Sequence, residues 1–316
     1  MSPASKDNRS LIESGLAGKQ FCLGLRAGII QIIRQFFIAR GYLEVETPFL
    51  IPAPAPEAHI DALPAGLGFL HPSPELCMKR LVCAGYTKIF QICHCFRQAE
   101  RGARHLPEFT LLEWYQAHQD YLALMDECEE LFVFISRELG RGAELIYQGQ
   151  TIRLQRPWER LTVSAAFAQY TDLDPATALA QDRFDELMVT CIEPRLGQNR
   201  PTFLKDYPAS LAALARLHQE TPGVAERFEL YVAGLELANA FSELIDPGEQ
   251  AQRFKKEQAQ RAAQHKTVYP WPRKFIEALA DMPPCAGIAL GVDRLVMLFA
   301  DQPQIDAVVA FTPEEL

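Results

Sequence analysis

Phe90-Gln-Ile-Cys-His-Cys-Phe-Arg-Gln-Ala-Glu-Arg-Gly-Ala-Arg-His-Leu-Pro-Glu-Phe-Thr-Leu-Leu-Glu-Trp-Tyr115 is the stretch on which the fold turns. Its apolar ends predict strands over 88–97 and 109–115, and its polar middle predicts the loop that joins them. Side chains alternate along a strand, so Phe109, Leu111, Glu113 and Tyr115 share one face. There Glu113 and Tyr115 suit a bound ammonium group, and Phe109 offers a ring on which a base can stack. Arg97 ends the first strand, and the loop adds Arg101, Arg104 and His105. Arginines beside a base platform suggest a triphosphate site, because guanidinium binds phosphate through paired hydrogen bonds. A solvated hairpin with ordinary surface charge fits the same residues.

Working outward, Ile29, Ile33, Phe36 and Phe37 fall at helical spacing, and Gly41 is placed to end that helix. Leu43, Val45 and Thr47 alternate with Glu44 and Glu46, which predicts a strand closed by Pro48. The Pro/Ala-rich run 51–56 must be extended or looped, since a residue before proline avoids the helical region. Downstream, 121–139 reads as helix, 160–220 as mixed helix and loop, and the region around 227–237 as a hairpin. A short buried strand at 287–291 then leads into a helix at 292–299. Helices interrupting strand pairs predict an α+β fold on a central antiparallel sheet of about six strands, near the usual sheet size.

The 316 residues suffice for a sizeable core, and 48% apolar with 22% charged residues is the balance of a globular protein. The net charge of −9 argues against a general nucleic-acid binder, which carries a basic excess. No uninterrupted apolar run reaches the roughly 18 residues of a membrane helix, and residues 1–19 contain no signal-like apolar stretch. Eight cysteines without a secretion signal read as reduced thiols, and the expected location is the cytoplasm.

Further clusters carry chemistry. Asn239, Phe241 and Glu243 alternate on one strand face, and Glu229 and Glu236 face each other across the hairpin, where they could hold Mg²⁺ or form an acidic surface. Gly287-Ile-Ala-Leu-Gly-Val-Asp-Arg294 is a strand-to-helix turn whose glycines admit a ligand and whose Arg294 sits in the first helical turn. Cys93-His94-Cys95 lies on a strand with no second ligand pair, so it is read as strand side chains rather than a metal site. Cys77, Cys83 and Cys128 read as core thiols, and Asp126, Glu127, Glu129 and Glu130 as a solvated helix face.

Together these segments resemble the catalytic domain of class II aminoacyl-tRNA synthetases of the lysyl type. Ala39-Arg-Gly-Tyr-Leu-Glu-Val-Glu-Thr-Pro48 is similar to motif 1, the stretch from Phe96 to Tyr115 to motif 2, and Gly287 to Arg294 to motif 3. Ser73-Pro-Glu-Leu-Cys-Met-Lys-Arg80, Glu226-Arg-Phe-Glu-Leu and Asn239-Ala-Phe-Ser-Glu-Leu244 are similar to lysyl-type segments between the motifs. Residues 1–20 are then expected to be an N-terminal extension and 21–316 the catalytic domain, with no anticodon-binding domain upstream. A lysyl-type core of this length resembles the elongation factor P–(R)-β-lysine ligase family.

The resemblance implies ATP and Mg²⁺, an aminoacyl adenylate of (R)-β-lysine, and elongation factor P as protein substrate. A lysine-activating enzyme with another amine acceptor, tRNA included, or an amino-acid-binding regulatory paralogue without chemistry fits the same core. The resemblance also implies a homodimer through the unit ending at Pro48, with no stable tRNA binding and no membrane association. Arg97 would hold the α-phosphate, Arg294 and His105 the γ-phosphate side, and Phe109 the adenine. Gln98, Ala99, Glu236, Leu237 and Gly291 would complete the ATP contacts, with Glu229 and Glu236 on Mg²⁺. Ser73, Pro74, Glu75 and Asn239 would face the substrate's amine and carboxylate end, with Glu113, Tyr115 and Glu243 around its amino groups. The chain departs from the family pattern at three places. Phe96-Arg97-Gln98-Ala99 replaces Phe-Arg-Asn-Glu, putting Glu100 one place late, Leu106 replaces an Asn, and Ala289 stands where lysyl-type enzymes favour Gly.

Overall fold

The protein is described here by a computed structural model of residues 15–316; residues 1–14, most of the expected N-terminal extension, lie outside the described residues. In chain order the strands are β1 Leu43–Glu44, β2 Leu50–Ile51, β3 Leu63–Ala65, β4 Gly68–Leu70, β5 Lys88–Phe96, β6 Glu108–Ala117, β7 Glu144–Tyr147, β8 Gln150–Arg153, β9 Glu159–Thr162, β10 Thr202–Pro208, β11 Val224–Val232, β12 Leu235–Ser242 and β13 Cys285–Gly291. Eight of them form one sheet in the order β1-β5-β6-β13-β12-β11-β10-β9. From β5 to β10 each neighbouring pair is antiparallel, whereas the edge strands β1 and β9 pair in parallel. The expected α+β fold is therefore present, and the expected antiparallel sheet is the centre of a mixed one.

One face of this sheet is covered by the helices Gln20–Ala39, Tyr121–Glu138 and Val292–Ala300. Their apolar faces meet Phe90, Leu112, Trp114, Leu230, Ala238, Ala240, Ile288 and Leu290 in the main core. Phe37 stacks on Phe90 at 5.0 Å between ring centroids. The helix Gln20–Ala39 is long and apolar enough by length and composition to cross a membrane. Here it packs on the sheet, and its Arg26 pairs with Asp293, which also accepts a hydrogen bond from the Thr110 amide at 2.7 Å. Gly41, at φ +78°, follows the helix as expected, since a left-handed residue there costs glycine little.

Four sequence readings need correction. The first is the solvated helix face: its Glu129 is buried and accepts from the Trp158 amide at 3.0 Å and from Arg156 at 2.8 Å. The motif 1 strand is only Leu43–Glu44, plus one Val45 amide bonded to Phe90 O, because the chain leaves the sheet before Pro48. Residues 160–220 contain more than helix and loop: β9 and β10 add two strands, and β10 pairs in parallel with β9 and antiparallel with β11. A homodimer through the unit ending at Pro48 would be expected to use the helical stripe Ile29, Ile33 and Phe36, but each of these is fully buried within the chain and cannot serve it. The exposed apolar side chains of this region are Phe21, Ile38, Leu43, Phe49 and Leu50.

Candidate active site

Opposite the helices, the central strands line a cavity of about 690 Å³. β6 contributes Leu111, Glu113 and Tyr115, β12 contributes Asn239 and Phe241, and β13 contributes Gly287 and Ala289. Strand alternation explains this division, since the intervening residues are those that face the core. Gly287 has a specific reason to be glycine: a Cβ there would collide with the Tyr115 ring and the Glu243 carboxylate, the two groups that converge over it.

One end of the cavity is acidic. Ser73 Oγ donates to Glu113 Oε1 at 2.6 Å, and Tyr115 OH donates to Glu113 Oε2 at 3.2 Å. Lys79 reaches Glu75 Oε1 at 2.5 Å and also pairs with Glu243. Burial, reinforced by Glu75, pushes the Glu113 carboxyl up to about 8. Burial also pushes Glu243 up to about 8, although Lys79 opposes it, and burial with Glu75 raises Glu57 to about 7. The Glu57 loop is tied down by the buried Arg261, which donates to Glu57 O at 2.7 Å and to Ile60 O at 2.9 Å. These acids crowd a water-poor space with too few cations, which suits a ligand carrying ammonium groups.

The anion-binding features lie beside this end. Arg97 lines the cavity, its guanidinium carbon sits 5.0 Å from the Phe109 ring centroid, and its buried Nε has no hydrogen-bond partner. A buried, unpaired guanidinium donor is costly to leave unmade and fits a phosphate or carboxylate. Arg294 donates to Glu236 O at 2.8 Å and lies 2.6 Å from His105 Nε2. Arg101 does not join them: it turns to Asp306 and Glu314 near the C-terminus. Arg104 donates to Gly234 O and so docks the motif 2 loop on the β11–β12 turn.

A β-bulge decides what β12 presents. Glu229 lies opposite Asn239 and Leu230 opposite Ala238, but Tyr231 lies opposite Glu236, leaving Leu237 extra. Leu237 and Ala238 therefore both enter the core, and Glu236 shares the site side with Glu229. Glu229 accepts from Arg227 at 2.7 Å and from Tyr207 and Tyr231 at 2.6 Å each. Glu193 is the neighbouring acid; burial, then Glu229 and Glu236, raise its pKa.

Of the residues expected from sequence, Ser73, Glu75, Arg97, Glu113, Tyr115, Glu229, Asn239 and Glu243 line the cavity together. Gln98, Ala99, His105, Phe109, Glu236, Gly291 and Arg294 are not in its lining, and Pro74 lines a second cavity of about 270 Å³. Leu237 has its side chain in the core, so any contact it makes with a nucleotide comes from its backbone. Ala99 adopts φ +63°, uncommon for a residue with a Cβ, and the Gln98 amide donates to Asp61 O. Sequence reasoning missed Glu57, Lys79, Glu193, Tyr207 and Arg227 as site groups. Only Lys79 left a local signal, its four-residue spacing from Glu75 on the helix Glu75–Cys83.

Residues 17–315 match the family described as "tRNA synthetases class II (D, K and N)". The chain belongs to that family. A Lysine--tRNA ligase of Magnetococcus marinus is 38% identical over 90% of the chain and 62% of that protein. The Lysine--tRNA ligase of Moorella thermoacetica is also 38% identical, over 90% of the chain and 64% of its own length. The chain thus spans about three-fifths of these relatives. An Elongation factor P--(R)-beta-lysine ligase of Salmonella arizonae is 38% identical over 91% of the chain and 93% of that protein. Identity alone separates neither group, and all of these relatives are ligases by name.

Proposed function

We propose that this class II chain activates (R)-β-lysine with ATP as an aminoacyl adenylate and transfers it to a lysine side chain of elongation factor P. The observation that supports the activation step best is an acidic pocket with Arg97 at its edge, whose buried Nε is unpartnered and whose Nη1 meets Glu100 only at 3.8 Å. A lysine isomer carries two ammonium groups and one carboxylate. The acids Glu75, Glu113 and Glu243 suit the ammonium groups, and the carboxylate then lies toward Arg97.

In the first step a carboxylate oxygen attacks the α-phosphorus of ATP and pyrophosphate leaves. In the second, a lysine amine attacks the acyl carbon and AMP leaves. Positioning and charge stabilisation do most of this work. Phe109 supplies the adenine platform, and Arg97, Arg294 and His105 the phosphate contacts. Gln98 and Ala99 offer backbone groups where the family carries a Glu side chain. The carboxylates of Glu236, Glu229 and Glu193 form a hard-oxygen donor set that fits Mg²⁺, which when bound neutralises triphosphate charge. Glu229 is occupied by three donors and the Glu236 carboxylate by one, Arg294 at 3.3 Å, so Glu236 is the more available ligand.

The acceptor rests on the relatives. The match runs along nearly the full length of the elongation factor P ligases, and the net charge of −9 disfavours a nucleic-acid backbone. Ala289, facing the pocket where lysyl-type enzymes favour Gly, fits an altered substrate shape. We take residues 21–316 as one catalytic domain acting in the cytoplasm as a homodimer. The test of activation is pyrophosphate exchange by Arg97→Ala and Arg294→Ala, each expected to fall roughly a hundredfold or more. Near-normal exchange in both folded variants would remove the phosphate assignment.

A further inference from the structure

His94, the middle of the Cys93-His94-Cys95 stretch, points away from its neighbours and lies 2.7 Å from Glu108 Oε1 at the surface. Cys93 and Cys95 point together to the other side of β5, where they meet His71, the residue after β4. The three side chains are 5%, 0% and 1% exposed, and their donor atoms all lie within 4.8 Å of one another. The two sulfurs are 3.9 Å apart. Two thiolates sharing a tetrahedral ion at metal–sulfur distances of about 2.3 Å stand roughly 3.8 Å apart. Neither ring nitrogen of His71 makes a well-formed hydrogen bond, the backbones of Ser73 and His94 offering only weak contacts, and a buried imidazole rarely goes without one. Its ring is held in place by stacking on Phe49, and its backbone is bonded to Phe49 O and the Phe96 amide.

We propose that His71, Cys93 and Cys95 form a binding site for a thiophilic d¹⁰ metal ion, Zn²⁺ or Cu⁺. Two sulfurs and one imidazole are the ligands such ions select, and hard ions such as Mg²⁺ do not. A divalent ion displaces the two thiol protons to solvent and leaves a neutral assembly of M²⁺, two thiolates and one imidazole, which lowers the cost of burial. No fourth His, Cys, Asp or Glu joins the group among the described residues, so a tetrahedral ion takes one water. His71 lines the cavity of about 270 Å³, which gives water and ion a route in. The site would pin the segment leading to Ser73 against β5, the strand that ends beside Arg97. It rests on these three residues alone and stands apart from the proposed reaction.

The test is metal content of the full chain purified under reducing conditions, incubated with Zn²⁺ or with Cu⁺ and then gel-filtered. About one ion per chain is expected, with thermal unfolding shifted upward by that ion. Co²⁺ in its place should give a thiolate-to-metal charge-transfer band in the near ultraviolet. Cys93→Ser with Cys95→Ser, and separately His71→Gln, should lose the band and weaken retention at least tenfold while far-ultraviolet dichroism is unchanged. Should the double variant unfold, cadmium titration of wild type followed by nuclear magnetic resonance reads sulfur ligation directly. Retention of Cu⁺ alone, lost in the variants, keeps the site and fixes the ion. Wild type that retains neither ion, or variants that retain either ion as well as wild type does, would overturn it. So would a Cys93–Cys95 disulfide that persists under those reducing conditions.

Discussion

Lys79 and Glu243 form an ion pair on the floor of the cavity, with side chains only 1% and 0% exposed. The same ammonium reaches Glu75 at 2.5 Å and lies 5.0 Å from the Phe241 ring centroid. One cation therefore serves two acids, while Glu113 keeps its proton near neutral pH because burial and Glu75 oppose its ionisation. Glu113 thus holds a proton at a place where an ammonium group would favour its charged form.

Binding of a lysine isomer is therefore predicted to release protons. Glu57 near 7 and Glu113 near 8 are largely protonated at pH 6, and an ammonium neighbour favours their charged forms. Affinity should rise from pH 6 toward 8. Calorimetry in buffers of different ionisation enthalpy measures the proton count, and zero release or net uptake at pH 7 would contradict the arrangement.

Glu113→Gln isolates one of these groups. The carboxyl's pKa in the folded chain, about 8, exceeds its unfolded value near 4.5, so its contribution to stability is fully present below about 4.5 and is lost as pH rises through 8. Relative to wild type, the variant should gain in melting temperature between pH 5 and 8 without ligand. Wild type and variant curves that stay parallel over that window would show the carboxyl to be ordinary. The variant should also bind lysine isomers more weakly, since a charge-assisted hydrogen bond contributes roughly 1.5–3 kcal/mol.

Gly287→Ala should fill the space under Tyr115 and Glu243. Overpacking of this kind costs about 1–3 kcal/mol, and the displaced groups are those proposed to hold the amino acid. Titration of the folded variant should show amino-acid binding lost and nucleotide binding kept. Unchanged affinity for lysine isomers would place the substrate elsewhere.

The dimer prediction follows the exposed residues rather than the buried stripe. Ile38, Leu43 and Leu50, which lie in or beside the unit ending at Pro48 in sequence, are 58%, 50% and 54% exposed, and exposed apolar side chains mark an association surface where they cluster. Light scattering should give twice the chain mass for wild type and a monomer for Leu43→Glu combined with Leu50→Glu. A wild-type monomer at every concentration would contradict it.

How far the sequence carries depends on whether a signal is local. The β5–β6 hairpin and the β13-to-helix turn announce themselves by alternation and by glycine, and their site residues land where period two puts them. The bulge at Leu237 does not: strict alternation would turn Glu236 away from Asn239, and only the pairing with β11 shows the slip. Helical spacing of Ile29, Ile33 and Phe36 reveals an apolar face, but not that the chain's own sheet covers it. β10 hides because its pattern is broken by Lys205 and Asp206, where the ladder itself is irregular. Glu57, Glu193 and His71 reach their clusters from distant segments, which no local pattern encodes.

The central claim is tested by incubating the enzyme with ATP and labelled (R)-β-lysine, its enantiomer or L-lysine, then adding purified elongation factor P or total tRNA. Pyrophosphate exchange should be strongest with (R)-β-lysine, and label should pass to a lysine of elongation factor P, with tRNA left uncharged. Efficient tRNA charging with no label on elongation factor P, or no exchange with any lysine isomer, would contradict the claim.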